Sequence, residues 1–403
     1  MRILFVNPGG KAQGGAERSL AQLIGGLAER GHEVHVALMA TGDASTLFRD
    51  AGAHVAGVVA EELHVAPRHG GAAPFIAGAT RAAPAIAGVV KALRKIVLRT
   101  SPDVVHSNGF RSHVLSPLFV PRSIPIVWSL RDRAPHQLHR SLLRATSRSV
   151  ASIIANSPFT ADQLRHPAMT VVANPIAEVQ TVPTNEARAR LGLPDDRHIV
   201  AVLAHLHPSK GHDVMVEALT HWSPSVRPIL AIAGGDLYKG SDSYGRDLGQ
   251  RVEALGLRHD VSMLGNVDDV DLVYAAADVV VHPSRHPEGF GRVAVEAQSS
   301  GTPIVATAQG GVLGLIDHDE TGLLVQPDDP AALFEAVDSV MWPGPRRTRL
   351  ISKGKTAAAR FSPEVHTARV VEIYEKLTAL TSNSDEIPDE DPITSSREAS
   401  LSR

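Results

Sequence analysis

The chain has 403 residues, 43% of them hydrophobic, enough to bury a large core and to form two domains. It has no cysteine and only 4% aromatics, which excludes a disulfide framework and thiolate chemistry, fits a reducing cytoplasm and leaves nucleic acid as an unexpected partner. The net charge of −3 is unevenly spread: residues 1–180 hold 19 Lys and Arg against 11 Asp and Glu, the remainder 21 against 32, so the basic first half suits anionic lipid or a phosphorylated acceptor.

The first strand is expected over residues 2–7, beside the initiator Met with no signal peptide before it, and no apolar run is long enough to span a bilayer. It leads into a glycine-rich turn, then a helix with Leu20, Leu23, Ile24 and Leu27 at helical spacing that stops at Gly31. A dinucleotide site would need G-x-G-x-x-G here and an acid ending the second strand, but that strand, residues 32–39, runs into Ala40 and Thr41. Gly14 and Gly15 then read either as a tight turn that needs glycine for its backbone geometry or as a loop facing a ligand across a cleft. Residues 61–80, rich in Gly, Ala and Pro, read as a mobile loop.

Residues 81–99 read as a helix with Lys91, Arg94, Lys95 and Arg99 on its polar side, and Arg131, Arg133, Arg140, Arg144 and Arg148 form a second basic segment. Both read first as core-facing elements with a solvated charged side and second as surfaces for anionic membrane. A strand ending in His106-Ser107-Asn108 should bring His106 and Asn108 toward a cleft, because parallel strands present ligand contacts at their carboxyl ends. Arg131 follows the next strand and serves either an anionic group or Asp132. Ser157 is expected as a helix N-cap with Pro158 at the first helical position; polar residues 177–197, with Pro183 and Pro194, read as a linker.

The second half opens with a strand at 199–203, then His205, His207 and Lys210-Gly211. His205 and His207 share a strand face, but spacing implies no third ligand, so no metal site is expected. A strand over 228–233 runs into Gly234-Gly235-Asp236, and Asp268 reads as a helix cap rather than as half of a metal-binding D-x-D pair. Residues 282–307 read HPSRHPEGFGRVAVEAQSSGTPIVAT, a loop and helix between two apolar strands. Gly289 and Gly291 sit at the helix start, where backbone amides and the helix dipole favour an anion. Glu288 before the helix and Glu296 on it reach one cleft from different heights, a set matching a sugar, a diphosphate and a ribose. The alternative is a plain buried helix with both carboxylates solvated. Helices at 331–340, 346–360 and 363–380 precede an acidic tail.

Glu288-Gly289-Phe290-Gly291, Glu296-Ala297 and Gly301-Thr302-Pro303 resemble the E-x7-E region of retaining glycosyltransferases of family 4. Residues 261–267, Ala277-Asp278, His282-Pro283-Ser284 and Gly310-Gly311 support the likeness in order and spacing. The resemblance implies an α/β chain with the GT-B fold, two Rossmann-like doubly wound domains facing an interdomain cleft. These would be an acceptor-side domain (1–176), a linker (177–197), a nucleotide-sugar domain (198–360), a helix packing back on the first domain (361–381) and a disordered tail (382–403). It implies a cytoplasmic retaining transferase that uses a nucleoside-diphosphate sugar by front-face substitution, with no covalent nucleophile, cofactor or metal, and with possible peripheral contact to the inner face of the membrane.

Carried over by position, Glu288 meets the donor sugar and Glu296 the ribose. Lys210, His205 and the amides of Gly289, Phe290 and Gly291 meet the diphosphate. Gly14, Gly15 and Gly234 border the donor, and His106 or Asn108 contacts the transferred sugar or acceptor; Arg131, outside the family's pattern, remains a candidate for an anionic acceptor or a partner of Asp132. Four positions depart from the family's habit: His205 stands for an Arg, Asn108 for a second His, Arg131 lies where relatives often have a His, and Gly314 stands for a Glu. A neutral His205 would weaken diphosphate binding unless the anion protonates it. A sugar-nucleotide epimerase of the same fold, or a nucleotide-sugar-binding protein with a degenerate site, remains the alternative.

Overall fold

The computed structural model describes residues 1–10, 14–59, 82–235 and 242–384. The sequence readings on residues 61–80, Asp236 and the tail from 385 onward lie outside the described residues.

The first sheet holds β1 (Arg2–Asn7), β2 (Glu33–Leu38), β3 (His54–Val58), β4 (Val104–Asn108), β5 (Ile126–Leu130), β6 (Ser152–Ala155) and β7 (Met169–Val171), in spatial order β3-β2-β1-β4-β5-β6-β7. The second holds β8 (Ile199–Leu203), β9 (Ile229–Ala233), β10 (Val261–Gly265), β11 (Val279–His282), β12 (Ile304–Thr307) and β13 (Leu323–Val325), in order β10-β9-β8-β11-β12-β13. Every strand pair within them is parallel. Helices cover both faces, which is why β4, β5, β9 and β11 are buried along their whole length and why β9 and β11 read as near-continuous apolar runs.

In each sheet the strand order reverses beside the first strand, between β1 and β4 and between β8 and β11. Such a reversal opens a crevice at the carboxyl ends, because the loops on either side depart in opposite directions. The two crevices face one another, and the cleft lies between them.

The segment 177–197 differs from the linker reading, since Thr184–Leu191 is helical. Its Arg188 is buried and paired with Asp278 at 2.9 Å, which ties the segment to the second domain. The final helix, Pro363–Ser384, packs against the first domain, and Tyr374 is 0% exposed in that domain's core. Helix Gly15–Glu29 takes the contact at Gly26, where a Cβ would come 2.3 Å from Thr367 Oγ1. His366 Nδ1 donates to the Ala173 carbonyl at 2.7 Å. Among the described residues no helix is long and apolar enough to cross a membrane.

Candidate functional site

A cleft of about 880 Å³ separates the domains, and both sheets contribute to its walls. On the second-domain wall the chain leaves β8 through His205 and a single 3-10 turn, Pro208–Lys210. Gly211 ends that turn at φ 69°, and a Cβ there would come 2.0 Å from the Pro283 carbonyl, so Lys210 is pressed against the loop after β11. Lys210 Nζ reaches Glu288 Oε1 at 2.6 Å, and Ser284 Oγ donates to the same oxygen at 2.6 Å. His282 Nε2 lies 3.3 Å from it, close enough for attraction although too poorly directed for a regular hydrogen bond. Burial raises the Glu288 carboxyl, but His282 and Lys210 outweigh that and hold it well below the usual range, so it is ionised. The protein encloses it on most sides while its edge stays open to the water of the cleft. Oε2 has no hydrogen-bond partner among the described residues.

Gly291 has φ 101° and caps helix Arg292–Ser300, and the loop before it is backed by Gly310-Gly311, whose amide at Gly311 donates to the Glu288 carbonyl at 2.8 Å. A Cβ on Gly311 would fall 2.4 Å from the Gly289 carbonyl, and one on Gly289 would fall 2.0 Å from the Arg131 carbonyl, so backbone packs directly on backbone here. Ser157 Oγ, at 2.5 Å, and Thr160 Oγ1, at 3.1 Å, both donate from the first domain to the Gly289 carbonyl. Ser157 also caps its own short helix by accepting from the Thr160 amide, and Pro158 follows it, as the sequence predicts. Phe290 is buried in the core beneath the loop and shows only an edge to the cleft.

Glu296 lines the same cleft one turn deeper. Tyr274 Oη donates to its Oε2 at 2.6 Å; burial, reinforced by Glu296, pushes that phenol well above its ordinary value and keeps it protonated. Arg292 grips Oε1 at 3.0 and 3.1 Å and, with its remaining nitrogen, donates to Ser19 Oγ at 2.8 Å and the Pro175 carbonyl at 2.9 Å in the first domain. Arg292 thus spans the two halves. Gly15, at the start of the first helix, faces it so closely that a Cβ would lie 2.9 Å from Arg292 Cδ, and Gly14 lines the cleft beside it. Gly234 sits at φ 151° against the Ala204 carbonyl, bordering His205. Burial, then Lys210 and His207, lowers the His205 imidazole below its usual value, so it is neutral in the free protein.

Two expectations on the first-domain wall are corrected. His106 does not reach the cleft: it is 1% exposed, hydrogen-bonded through Nδ1 to Tyr374 Oη and through Nε2 to Ser129 Oγ at 2.7 Å, and covered by the final helix. Its burial keeps the imidazole neutral. Asn108 is 3% exposed and acts behind the wall, donating to Asn7 Oδ1 at 2.7 Å and accepting from Arg131 Nε at 2.7 Å. Arg131 itself lines the cleft, and its hydrogen bonds go to Asn108 and to Asn174 Oδ1. Asp268 caps no helix, since the next helix begins at Asp271 with Val270 before it; the carboxylate borders the cleft. The His205 and His207 rings lie 6.0 Å apart, and among the described residues no group of three His, Asp or Glu could hold a metal ion.

Arg292 and Tyr274, partners of Glu296, were missed in the sequence; the i, i+4 spacing of Arg292 to Glu296 was the available signal. Nothing local pointed to the Ser157 and Thr160 contact with Gly289, which spans 132 and 129 residues.

Two family profiles match successive parts of the chain: "Glycosyltransferase Family 4" over residues 13–178 and "Glycosyl transferases group 1" over residues 183–357. A D-inositol 3-phosphate glycosyltransferase of Thermobispora bispora is 31% identical over 308 residues, 68% of this chain and 70% of the relative, and one from a Nocardioides species is 30% identical over 69% and 68%. The chain belongs to the group 1, family 4 glycosyltransferases. A relative from Xylanimonas cellulosilytica is 36% identical over 193 residues, 47% of this chain and 45% of the relative, and the chain spans about half the length of the first such curated relatives it matches. Among solved structures, Anabaena HepE in complex with UDP and glucose superposes with a TM-score of 0.78 at 26% identity, over 93% of this chain and 99% of that one; its complex with UDP-glucose gives 0.77. The chain thus has the two-domain GT-B arrangement described above.

Proposed function

We propose that the protein transfers a sugar, with retention of configuration and without a metal, from a nucleoside-diphosphate sugar to an acceptor hydroxyl. The observation that carries this is the ionised Glu288, fixed through Oε1 alone, with Oε2 open to a cleft of nucleotide-sugar size. The HepE structures with UDP and UDP-glucose support a uridine nucleotide as the first donor to test.

In this reading Glu296 accepts from the ribose hydroxyls, since a carboxylate holding Tyr274 and Arg292 retains lone pairs for further donors. Lys210, His205 and the amides at the glycine-led helix start receive the diphosphate. The acceptor oxygen bonds to the anomeric carbon on the face from which the diphosphate departs. The bond from that carbon to the phosphate oxygen breaks, and the acceptor's proton passes to the departing phosphate. Glu288 orients the sugar hydroxyls, and the fixed amides and Lys210 stabilise the charge that develops on the leaving group.

The exposed face of helix Ala83–Thr100, with Lys91, Arg94, Lys95 and the 62% exposed Leu98, supports peripheral contact with anionic lipid, which vesicle co-sedimentation with and without phosphatidylglycerol tests. The main test is thermal stabilisation by UDP-, GDP-, ADP- and dTDP-sugars, followed by NMR of the product's anomeric proton. An inverted product would sink the retaining assignment. A rearranged sugar released without acceptor would favour the epimerase instead.

A further inference from the structure

The chain passes between the domains twice, near Pro175 and again between Phe361 and Pro363, and the two crossings lie side by side, since the Ile176 amide donates to the Phe361 carbonyl at 2.8 Å. Two bodies joined at one edge pivot there, so a contact away from that edge exists only while the cleft is closed. Arg292 makes contacts of both kinds. Its Nε and one terminal nitrogen hold Glu296 Oε1 at 3.1 and 3.0 Å, while the other terminal nitrogen donates to the Pro175 carbonyl, beside the pivot, at 2.9 Å and to Ser19 Oγ, on the first helix, at 2.8 Å. Ser19 is 0% exposed and its hydroxyl donates to the Gly15 carbonyl at 2.9 Å, so this acceptor is fixed in the first domain. The arginine is not a packing element. With Tyr274 and Glu296 it lines both the cleft and a second cavity of about 310 Å³ between the first helix and residues 177–179, and its side chain partitions the two spaces.

We propose that Arg292 is a positioning residue for domain closure: a nucleotide held at Glu296 fixes the carboxylate, the carboxylate fixes the guanidinium, and the guanidinium reaches Ser19 and draws the first domain onto the second. This rests on the ribose assignment of Glu296 made above. A ligand shifts an equilibrium between open and closed forms only by as much as it binds them differently, and the arginine is where that difference arises. In the closed form its outer nitrogen has two acceptors, and because the guanidinium is planar and rigid, two nitrogens on one carboxylate oxygen set the direction in which the third points. In the open form Ser19 is withdrawn, a donor loses its partner, and Glu296 is held less firmly for the ribose.

Small-angle X-ray scattering with and without saturating UDP, beside calorimetric titration of UDP, tests it on the wild type, Arg292→Gln and Ser19→Ala, with GDP, ADP or dTDP in place of UDP if one of those binds instead. Ser19→Ala leaves Glu296 and its partners in place and removes only the contact away from the pivot. The nucleotide-bound wild type is expected to have the smallest radius of gyration. Both variants should stay larger with nucleotide bound, with dissociation constants raised about threefold for Ser19→Ala and about tenfold for Arg292→Gln, and Arg292→Lys should recover part of the loss. A residue that served only stability would lower the unfolding temperature without changing the size of the bound form. Variants that bind nucleotide and reach the wild-type radius would overturn the proposal. So would a Ser19→Ala protein that matches the wild type while Arg292→Gln loses nucleotide binding, since the arginine would then serve Glu296 alone. If Arg292→Gln does not fold, Ser19→Ala decides by itself. A wild type that binds none of the four nucleotides would refute the donor reading and with it the proposal, whereas binding with unaltered radii refutes the proposal alone.

Discussion

The two walls of the cleft are built differently. On the second-domain side each functional carboxylate is anchored by several partners: Glu288 by Lys210, Ser284 and His282, and Glu296 by Tyr274 and Arg292. On the first-domain side glycine backbone, Glu17, Arg18, Asp132 and Arg133 line the cleft beside Arg131, whose guanidinium is held by the neutral amides of Asn108 and Asn174, while Ser157 and Thr160 reach the Gly289 carbonyl. A wall of mutually fixed charges is preorganised for one ligand, because its geometry no longer depends on that ligand. A wall whose arginine is held by neutral amides rather than by a carboxylate fixes less of its geometry in advance and leaves room for acceptors to differ.

Breaking the anchored wall should have the largest effect. Glu288→Gln removes the charge that orients the donor and is expected to lower the turnover number about 10²–10³-fold with UDP affinity little changed, measured by steady-state transfer and titration. A smaller effect comes from uncoupling the walls. Ser157→Ala with Thr160→Val removes both donors to the Gly289 carbonyl and should slow transfer about tenfold, as expected for one or two lost hydrogen bonds in the reacting state; unaltered kinetics would show that the contact does not order the loop.

Next is the one weak point of the anchored side. His205 is neutral in the free protein because burial and Lys210 lower it, and a bound diphosphate favours its charged form. Nucleotide binding then takes up a proton and weakens as pH rises through the bound-state value. His205→Arg should accordingly tighten UDP binding severalfold more at pH 8 than at pH 6, and the same gain at both values would discard the protonation argument. The smallest effect on chemistry is expected at His106. Being sealed under the final helix, His106→Gln should cost about 2 kcal/mol of stability in denaturant unfolding while the turnover number per folded molecule stays near wild type.

The sequence reading was strongest where chemistry is local. Glu288, the glycine-led helix start and Glu296 lie within nine residues, and β11 and β12 on either side are short apolar runs that fix where the loop must emerge. Gly310-Gly311 was legible as a turn, although its role in backing the loop needed the third dimension. The reading of His106 as a cleft residue went wrong for a physical reason. The residue does end a central parallel strand, but its side chain meets Tyr374, 268 residues later, and neither spacing nor hydropathy tells which strand end a distant helix will cover. The same distance hid the Ser157 and Thr160 contacts. Within residues 177–197 two prolines and many polar side chains suggested open chain, yet Arg188 gains a buried partner in Asp278 and the helix forms around that pair.

The position of Tyr374 bears on the order in which the molecule is made. The ribosome emits the whole first sheet, then the entire second domain, and only afterwards the helix that fills the groove beside His106. Until that last segment arrives, the earliest-synthesised half has an open apolar seam, so it must wait as an incomplete body during most of translation and depends on its neighbour's completion for its own.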